Sequence, residues 1–487
     1  MNSNSITELE PKILWKWFDD FCSIPHPSFH EKALSNFIFN KAKEFGLYVE
    51  QDEKNNLLIK KPATKGMEGY PAIAMQAHID MVPQKGVDSN HNFETDPIAP
   101  YVREGWVYAN DTTLGADNGI GAAMALGVMF SDNVSHPQLD LVLTTEEEIG
   151  MGGAEVLNPS WLSAPYLLNL DSEDERVITV ACAGGRDITL KLEYEQNDLS
   201  ADAIVYEVKL HGLKGGHSGI DINKGRVNAI IMLAKILLAS DINFALVSLK
   251  AGSVRNAIPR EASAIVSVEG LSMGDIENKL LSLLPVLSEE FKHTENPFQL
   301  SVSSVTSDTG SNSASIAETK RILNLISSIP NGMIKNTHFS HELVETSTSL
   351  GVVQISNGKC EMQCLMRSLI DASKYGLEQQ FKSIADLAQA HMESSADYPA
   401  WQPEMDSPLL SSMVKIFTDY YDEKPSIKAM HAGLECGILK KHAPNMQMIS
   451  FGPNIRQAHS PKECVEIRSV QECWQLLVNF LANPPGN

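Results

Sequence analysis

Hydrophobic residues in the first part of the chain form short continuous runs that alternate with helical patterns. Residues 72–77, 139–143 and 166–170 are nearly all apolar, and segments of helical length lie between them. Strands that are apolar throughout are typical of a parallel sheet covered by helices on both faces. The first 185 residues therefore predict the α/β fold class, with a mostly parallel sheet flanked by helices.

Two helices are predicted before the first of these strands. Pro11 fits the first position of a helix whose apolar residues recur on one face. Ser28 and Glu31 have the spacing of a capping box, in which each side chain bonds the backbone amide of the other residue. We therefore expect Ser28 and Glu31 to cap the start of the second helix.

The pattern changes after Gly185. Residues 204–210 and 262–268 alternate apolar and polar positions, as in strands with one solvated face, and helical segments lie between such strands. This pattern is typical of an α+β insert, and its length of about 200 residues leaves room for two α+β units. The predicted domains are a first domain in two parts, residues 1–185 and 399–487, and an inserted α+β lid domain, residues 186–398.

Charge and composition argue against several classes of protein. The chain has 487 residues, with 39 lysines and arginines against 61 aspartates and glutamates, so its net charge is −22. A basic surface would favour nonspecific binding to nucleic acid or to an anionic membrane, and this chain is acidic. The N-terminus lacks a signal-peptide pattern, and no run of about 18 apolar residues could span a membrane. Seven scattered cysteines are typical of reduced thiols in a cytoplasmic protein.

Residue types that bind metal ions follow the predicted strands closely. A histidine, a run of three glutamates and an aspartate come after the three apolar strands, and a second histidine follows an apolar strand near the C-terminus. The carboxyl ends of the strands in an open parallel sheet form a ligand-binding crevice, so these distant segments would meet there. A further aspartate lies in a glycine-rich loop beside them. The candidate metal ligands are His78, Asp117, Glu148, Asp171 and His459.

Each of these residues also has an ordinary explanation. Asp117 could favour a turn, Asp171 could cap a helix, and the run of glutamates could be a solvated surface. The glutamates adjoin a buried strand, however, where like charges are costly and a cation would relieve them. His78 and Asp80 lie two residues apart in an extended segment, so Asp80 could fix the tautomer of a ligating His78. Taken together, the residues favour a metal site.

Short motifs around these residues, and several in the insert, are similar to those of one enzyme family. The shared motifs are His78-Ile-Asp80, Gly115-Ala-Asp117-Asn-Gly119, Glu147-Glu148-Ile-Gly150, Leu170-Asp-Ser-Glu-Asp-Glu175, Leu213-Lys-Gly-Gly-His-Ser-Gly219, Arg255-Asn-Ala-Ile-Pro-Arg260 and His431-Ala-Gly-Leu-Glu-Cys-Gly437. They resemble the co-catalytic metallopeptidases that include aminoacylase and carboxypeptidase G. Within that family they are most similar to the bacterial aminoacyl-histidine dipeptidase branch (peptidase D, carnosinase-type), over essentially the whole chain.

The resemblance implies that the two-part domain is catalytic and binds two bridged divalent ions. One ion would be held by His78, Asp117 and Asp171. The other would be held by Asp117, Glu148 and His459, so that Asp117 bridges the pair. Imidazole and carboxylate ligands suit zinc, with manganese and cobalt also plausible.

This assignment predicts hydrolysis by a metal-activated water. A water that bridges two cations loses its proton near neutral pH and becomes a nucleophile. Glu147, beside the ligands, would act as the general base and pass the proton to the leaving amine, while Asp80 would act through His78. His217 resembles the family histidine that stabilises the oxyanion, and it could act within the chain or across to a partner subunit. The family also has a cis peptide bond after the bridging residue, here Asp117.

The sequence leaves the residues that contact the substrate less well defined than the metal ligands. Arg367 could bind the terminal carboxylate of a substrate through two hydrogen bonds. For each candidate substrate-binding residue, a surface ion pair or a loop hydrogen bond is an equally good explanation. The implied activity is hydrolysis of Xaa-His dipeptides, including β-alanyl-histidine, by a homodimer. The alternatives are an N-acyl-amino-acid deacylase or tripeptidase with the same metals, and a non-catalytic peptide-binding protein, which would not need a general base. The candidate substrate-binding residues are Asn256, Arg367, His431 and Glu435.

Overall fold

A computed structural model of the chain describes residues 5–200, 202–295, 297–305, 312–338 and 343–486. The internal contacts divide the chain into two units. The first unit comprises Met1–Cys182, Trp401–Ala429 and Leu434–Asn487, and the second comprises Ala183–Ala400 and Met430–Gly433.

The first unit is built on a sheet that contains eight strands among the described residues. All residues of Ile73–His78 and Leu139–Thr144 are buried, so both faces of the sheet centre are covered. The four central strands run parallel, and antiparallel strands flank them, so the predicted α/β class with a parallel sheet is confirmed. In spatial order the strands are Tyr48–Gln51, Leu57–Lys61, Leu139–Thr144, Ile73–His78, Tyr166–Asn169, Gln447–Ser450, Val177–Cys182 and Ser426–Met430.

One helix lies at the centre of the first unit. Ala116–Met129 packs against helices Lys12–Ser23 and Ile467–Ala482 and against strand Ile73–His78. From residue 119 onward it carries no polar side chain, as expected of a helix buried around its whole circumference. The other helices of this unit are Ile6–Glu8, Lys32–Glu44, Gly152–Glu155, Pro159–Trp161, Pro408–Tyr421 and Glu435–His442. A small antiparallel sheet is formed by Ile455–Arg456, Cys464–Glu466, Trp106–Ala109 and Pro100–Arg103.

The second unit contains, in its described part, a nine-stranded sheet. Eight of its strands form two similar halves, and the ninth, Gly332–Asn336, pairs with Val344–Ser356. Each half follows the order strand–helix–strand–strand–helix–strand, which is the ferredoxin-like arrangement. The first half has strands Ile204–His211, Ala245–Ala251, Ala262–Val268 and Gln299–Ser304 and helices Ala229–Ala239 and Met273–Leu281. The second half has strands Gly184–Glu193, Val344–Ser356, Lys359–Ser368 and His391–Tyr398 and helices Ile316–Ser328 and Asp371–Ala388.

The two halves join edge to edge. Ala245–Ala251 pairs antiparallel with Val344–Ser356, so the second strand of one half lies beside the second strand of the other. Along the chain, the first half is inserted between the first strand and the first helix of the second half. The remaining short elements of the unit are Gln196–Asp198, Gly216–His217, Ala257–Ile258, Leu284–Ser288, Glu289–Phe291, Asn312–Ala314 and Gly332–Asn336.

Among the described residues, no helix combines the length and apolar character that a membrane span requires. All seven cysteines are buried and free of disulfide bonds.

Candidate metal centre

Four of the five sequence-predicted metal ligands follow the four parallel strands of the first unit. His78 is the last residue of its strand, and Glu148 and Asp171 lie in the loops that directly follow theirs. His459 lies nine residues beyond the end of strand Gln447–Ser450, after the short strand Ile455–Arg456. These strands are neighbours in the sheet. Since the carboxyl ends of parallel strands meet at one edge of a sheet, the fold brings the four side chains together.

Asp117 reaches the same place from the start of helix Ala116–Met129. The backbone of Asp117 and Asn118 departs from helical geometry, and the peptide bond between them is cis, as the resemblance implied. Gly115, just before, has a φ of 72°, a conformation that favours glycine. The side chain of Asn118 donates a hydrogen bond to Asp171, which ties this loop to a second predicted ligand.

The side chains form two groups that share Asp117. His78 Nε2 lies 3.3 Å from Asp117 Oδ1 and 3.5 Å from Asp171 Oδ1. His459 Nε2 lies 3.1 Å from Asp117 Oδ2 and 3.0 Å from Glu148 Oε2. Each carboxylate oxygen of Asp117 therefore faces one histidine, and each histidine faces one further carboxylate. The two groups contain the same residues as the two ligand sets that the resemblance implied.

The donor set fits divalent cations. One ligand atom from each of His78, Asp117 and Glu148 lies within 4.8 Å of the others. Burial and the negative charge of Asp117 together raise the pKa of Glu148 to about 7, although its hydrogen bond with His459 acts in the opposite direction. Glu148 Oε1 is buried and has no hydrogen-bond partner among the described residues. Three carboxylates in a partly buried cluster repel one another, and bound cations would relieve this repulsion.

Binding of metal to this cluster is expected to release protons. Burial lowers the pKa of His78 and of His459, but their carboxylate neighbours raise both pKa values above the usual one. Both imidazoles are therefore protonated and positively charged at neutral pH. A ligating imidazole must be neutral and a ligating carboxylate must be ionised, so we expect roughly two to three protons to leave each chain as the site fills, about one from each histidine and a fraction from Glu148. Metal affinity should therefore fall as the pH is lowered. Calorimetric titration of metal-free protein in buffers with different heats of ionisation counts these protons, and a count near zero would contradict this protonation state.

Asp80 connects His78 to the segment that carries the glutamates. His78 Nδ1 lies 3.1 Å from the backbone oxygen of Asp80 and 3.3 Å from its Oδ1, which leaves Nε2 facing the predicted metal site. The carboxylate of Asp80 also accepts the backbone amides of Glu147 at 3.0 Å and Glu148 at 3.2 Å. One buried carboxylate thus orients a predicted ligand and the backbone of two neighbouring residues.

The capping box predicted at Ser28 and Glu31 is wrong. Helix Lys32–Glu44 begins without a side-chain cap. Ser28 Oγ instead donates to Asp80 Oδ2 at 2.8 Å, and Glu31 Oε1 accepts the backbone amide of Glu146 at 3.1 Å. The spacing matched a capping box, but Ser28 bonds a partner that is distant in sequence. Glu31 Oε1 accepts the amide of Phe29 at 3.0 Å in addition to that of Glu146, and not the amide of Ser28. Together, Glu31 and Asp80 hold three successive amides of the Glu146–Glu148 segment.

Glu147 lies half-buried beside the two groups. Burial raises its pKa well above the usual value, and the negative charges of Glu148, Asp171 and Glu435 add to this, whereas His78 lowers it. A carboxyl group with a raised pKa can accept and release a proton near neutral pH, as a general base and acid must. Glu146 does not share this position, because its carboxylate pairs with Lys54 Nζ at 2.7 and 2.8 Å.

Three of the predicted site residues, His217, Arg367 and His431, lie around Gly219 in the second unit. A Cβ atom at Gly219 would lie 2.3 Å from the backbone oxygen of His431, 3.1 Å from Arg367 Nε and 3.2 Å from His217 Cε1. Asn256 is tied to the same segment, since its backbone oxygen accepts the amide of Ser218 at 2.8 Å. The fold of this unit therefore brings together residues that were predicted from distant parts of the sequence.

The sequence prediction missed two residues of this cluster. The hydroxyl of Tyr398 accepts a hydrogen bond from Arg367 Nη1 at 2.8 Å, and Ser347 Oγ lies 2.7 Å from His431 Nε2. Arg367 is 6% exposed, and its Nε has no hydrogen-bond partner among the described residues. Burial and the charge of Arg367 lower the pKa of His431 to about 3, so His431 is neutral. Tyrosine and serine occur throughout the chain, so nothing in the sequence marks these two.

Glu435 belongs to the first unit. Its side chain is fully buried and accepts hydrogen bonds from Thr144 Oγ1 at 2.7 Å and from Gln76 Nε2. Burial raises its pKa to about 7. These partners belong to two central strands of the sheet, so in this structure Glu435 is part of the polar interior below the ligands.

The fold and the site together place the chain in a family. Residues 74–483 match the model of peptidase family M20/M25/M40, and the chain belongs to this family. It is therefore a peptide hydrolase, and the resemblance of the sequence motifs to this enzyme class is confirmed.

Two relatives match over nearly their whole length. The chain is 41% identical over 485 residues to the cytosol non-specific dipeptidase of Escherichia coli K12, covering 99% of this chain and 100% of that protein. It is 40% identical to the aminoacylhistidine dipeptidase of Vibrio alginolyticus, whose crystal structure it matches with a TM-score of 0.85 over 99% of each chain. A metallo-carboxypeptidase from Sulfolobus solfataricus, 12% identical, shares the fold with a TM-score of 0.55 over 97% of this chain and 98% of its own.

Proposed function

We propose that this protein is a dipeptidase that hydrolyses Xaa-His dipeptides, including β-alanyl-histidine, at a centre of two divalent ions. The observation that carries the proposal is the pair of ligand groups that share Asp117. Two near full-length relatives are dipeptidases, which supports the substrate size, and one of them acts on aminoacyl-histidine substrates.

The metal assignment follows the ligand groups. We assign His78, Asp171 and Asp117 to one ion, and His459, Glu148 and Asp117 to the other. Zinc suits the mixture of imidazole and carboxylate, with manganese and cobalt as alternatives. When bound, such ions polarise the scissile carbonyl and lower the pKa of a water molecule.

The remaining steps belong to side chains. Glu147 takes the proton of the attacking water and delivers it to the leaving amine. His217 Nδ1 accepts the backbone amides of Gly219 at 3.1 Å and Ile220 at 3.0 Å, so its proton lies on Nε2. This nitrogen can therefore donate to the carbonyl oxygen as negative charge develops there, from the same chain or across a dimer.

Arg367 is assigned to the terminal carboxylate of the substrate. Its buried Nε, which has no hydrogen-bond partner among the described residues, supports this role. The backbone oxygen of Asn256 accepts the amide of Ser218, next to His217, and Asn256 is assigned to the substrate backbone.

Replacing Arg367 with lysine is expected to raise KM for dipeptides and to lower kcat/KM by roughly 10- to 150-fold, the typical loss of a hydrogen bond to a charged group. A carboxylate bound equally in the ground and transition states affects mainly KM. Steady-state kinetics on a Xaa-His dipeptide and its C-terminal amide test this. The amide lacks the carboxylate, so both enzymes should cleave it equally poorly; an equal loss on both substrates would refute the assignment.

The experiment that tests the proposed function is a substrate panel. Free histidine released from β-alanyl-histidine and other Xaa-His dipeptides is measured with added zinc or manganese, and again with a chelator. Chelator-sensitive cleavage of Xaa-His dipeptides supports the proposal. Cleavage only of other dipeptides, tripeptides or N-acyl-amino acids would change the specificity, and no hydrolysis with any metal would favour a peptide-binding protein.

Cytoplasmic location and a homodimer are further parts of the proposal. The location is supported by the lack of disulfide bonds among the seven cysteines and by the cytosolic relative from Escherichia coli. The homodimer rests on the sequence resemblance alone, and light scattering of the purified protein tests it.

A further inference from the structure

Glu463 holds four successive backbone amides of the loop that carries Asp117. Its Oε2 accepts Leu114 N at 2.8 Å and Gly115 N at 3.1 Å. Its Oε1 accepts Ala116 N at 2.7 Å and Asp117 N at 3.2 Å. The side chain is thus bonded through both oxygens to the residues that lead into Asp117.

The surroundings of Glu463 show that this arrangement is not incidental. The residue is 2% exposed, and no lysine, arginine or histidine of the described residues forms an ion pair with it. A buried carboxylate without a cation is costly unless hydrogen bonds stabilise its charge. The amides at the start of helix Ala116–Met129 have no partner within the helix, and here they find one in Glu463.

Glu463 also belongs to the segment that carries His459. Its own amide donates to the backbone oxygen of Ser460 at 3.0 Å, which closes the turn directly after His459. One side chain therefore ties the loop of Asp117 to the loop of His459. These two residues face each other at 3.1 Å in one of the proposed ligand groups.

We propose that Glu463 is a positioning residue for the metal centre: it fixes Asp117 relative to His459 before metal binds, without touching metal or substrate. This inference rests on the metal centre proposed above. Glutamine at this position would keep one acceptor oxygen but turn an amide group towards two backbone N–H groups, so half of the contacts would become repulsive.

Glu463→Gln is expected to weaken cobalt binding by roughly 10- to 100-fold, the usual effect of losing a residue that orients ligands. The measurement is titration of metal-free protein with cobalt(II), which gives the affinity and, through the visible absorption, the ligand geometry. We expect both to change. Glu466→Gln is the matched control, since Glu466 lies on the same segment and bonds Asn454 and Arg468 instead.

Hydrogen exchange of the metal-free wild-type protein supplies a second readout. The amides of residues 114–117 should exchange slowly in the wild type and quickly in Glu463→Gln. Rapid exchange in the folded wild type, or wild-type cobalt affinity and spectrum in a folded Glu463→Gln, would overturn the proposal.

If Glu463→Gln does not fold, Glu463→Asp is titrated with cobalt(II) instead. Weaker cobalt binding by Glu463→Asp supports the proposal, and wild-type binding overturns it. Failure of the wild type to bind cobalt would instead refute the metal centre.

Discussion

Glu147→Gln should lower kcat for dipeptide hydrolysis by about 10²- to 10⁴-fold, the range typical of general acid–base catalysis, while the protein keeps both metal ions. The amide cannot take the proton of water or return it to the leaving amine. It has nearly the same size as the carboxyl group, and Glu147 belongs to neither ligand group. The segment should also stay in place, because Asp80 binds the backbone amide of Glu147 and not its side chain.

Two measurements decide this prediction. Steady-state kinetics gives kcat, and elemental analysis of the dialysed protein gives the metal content. Glu155→Gln, an exposed residue eight positions later, is the control and should change neither. Normal turnover by Glu147→Gln would show that another residue is the base, and loss of metal would show that Glu147 is a ligand.

Asp117→Ala should remove metal binding and activity together. Asp117 faces both histidines, so its loss takes one ligand from each group. We expect less than one ion per chain and a fall in kcat/KM on the order of 10³-fold or more. This exceeds the roughly 10- to 100-fold effect that is typical when only a residue orienting a ligand is removed.

The matched control for Asp117→Ala is Asp132→Ala. Asp132 is exposed and lies just past the other end of the same buried helix, so it tests for a general effect of removing an aspartate there. Circular dichroism establishes that both variants fold. A folded Asp117→Ala protein that retains two ions would refute the shared-ligand arrangement.

The sequence predicted the sheet and its edge because both follow from simple periodicity. Strands buried on both faces must be apolar throughout, and Ile73–His78 and Leu139–Thr144 are buried at every position. Histidine and carboxylate side chains that directly follow such strands meet at one edge of the sheet, however far apart they lie along the chain. His78 and Asp171 lie 93 residues apart, yet their side chains approach to 3.5 Å.

The carboxylates that hold the backbone around the site could not be predicted in the same way. Glu31, Asp80 and Glu463 all accept backbone amides, and every residue except proline has such an amide. The partner therefore leaves no mark in the sequence. At Glu31 a local pattern was even misleading, because a capping-box spacing coincided with a tertiary contact.

The second unit shows the same limit at a larger scale. Alternating strands predicted an α+β insert, but a period of two does not say which strands pair. The pairing of Ala245–Ala251 with Val344–Ser356 depends on contacts about 100 residues apart. The cluster of His217, Arg367 and His431 depends on that assembly. The sequence could therefore name His217 and His431 only through motif resemblance, and Arg367 only through the chemistry of its side chain.

Anomalous X-ray scattering from crystals of the zinc- or manganese-loaded protein tests the central claim most directly. The proposed centre predicts two peaks that share Asp117, one beside His78 and Asp171 and the other beside Glu148 and His459. A single peak, or peaks that do not involve Asp117, would contradict the two-ion centre from which the proposed function is drawn.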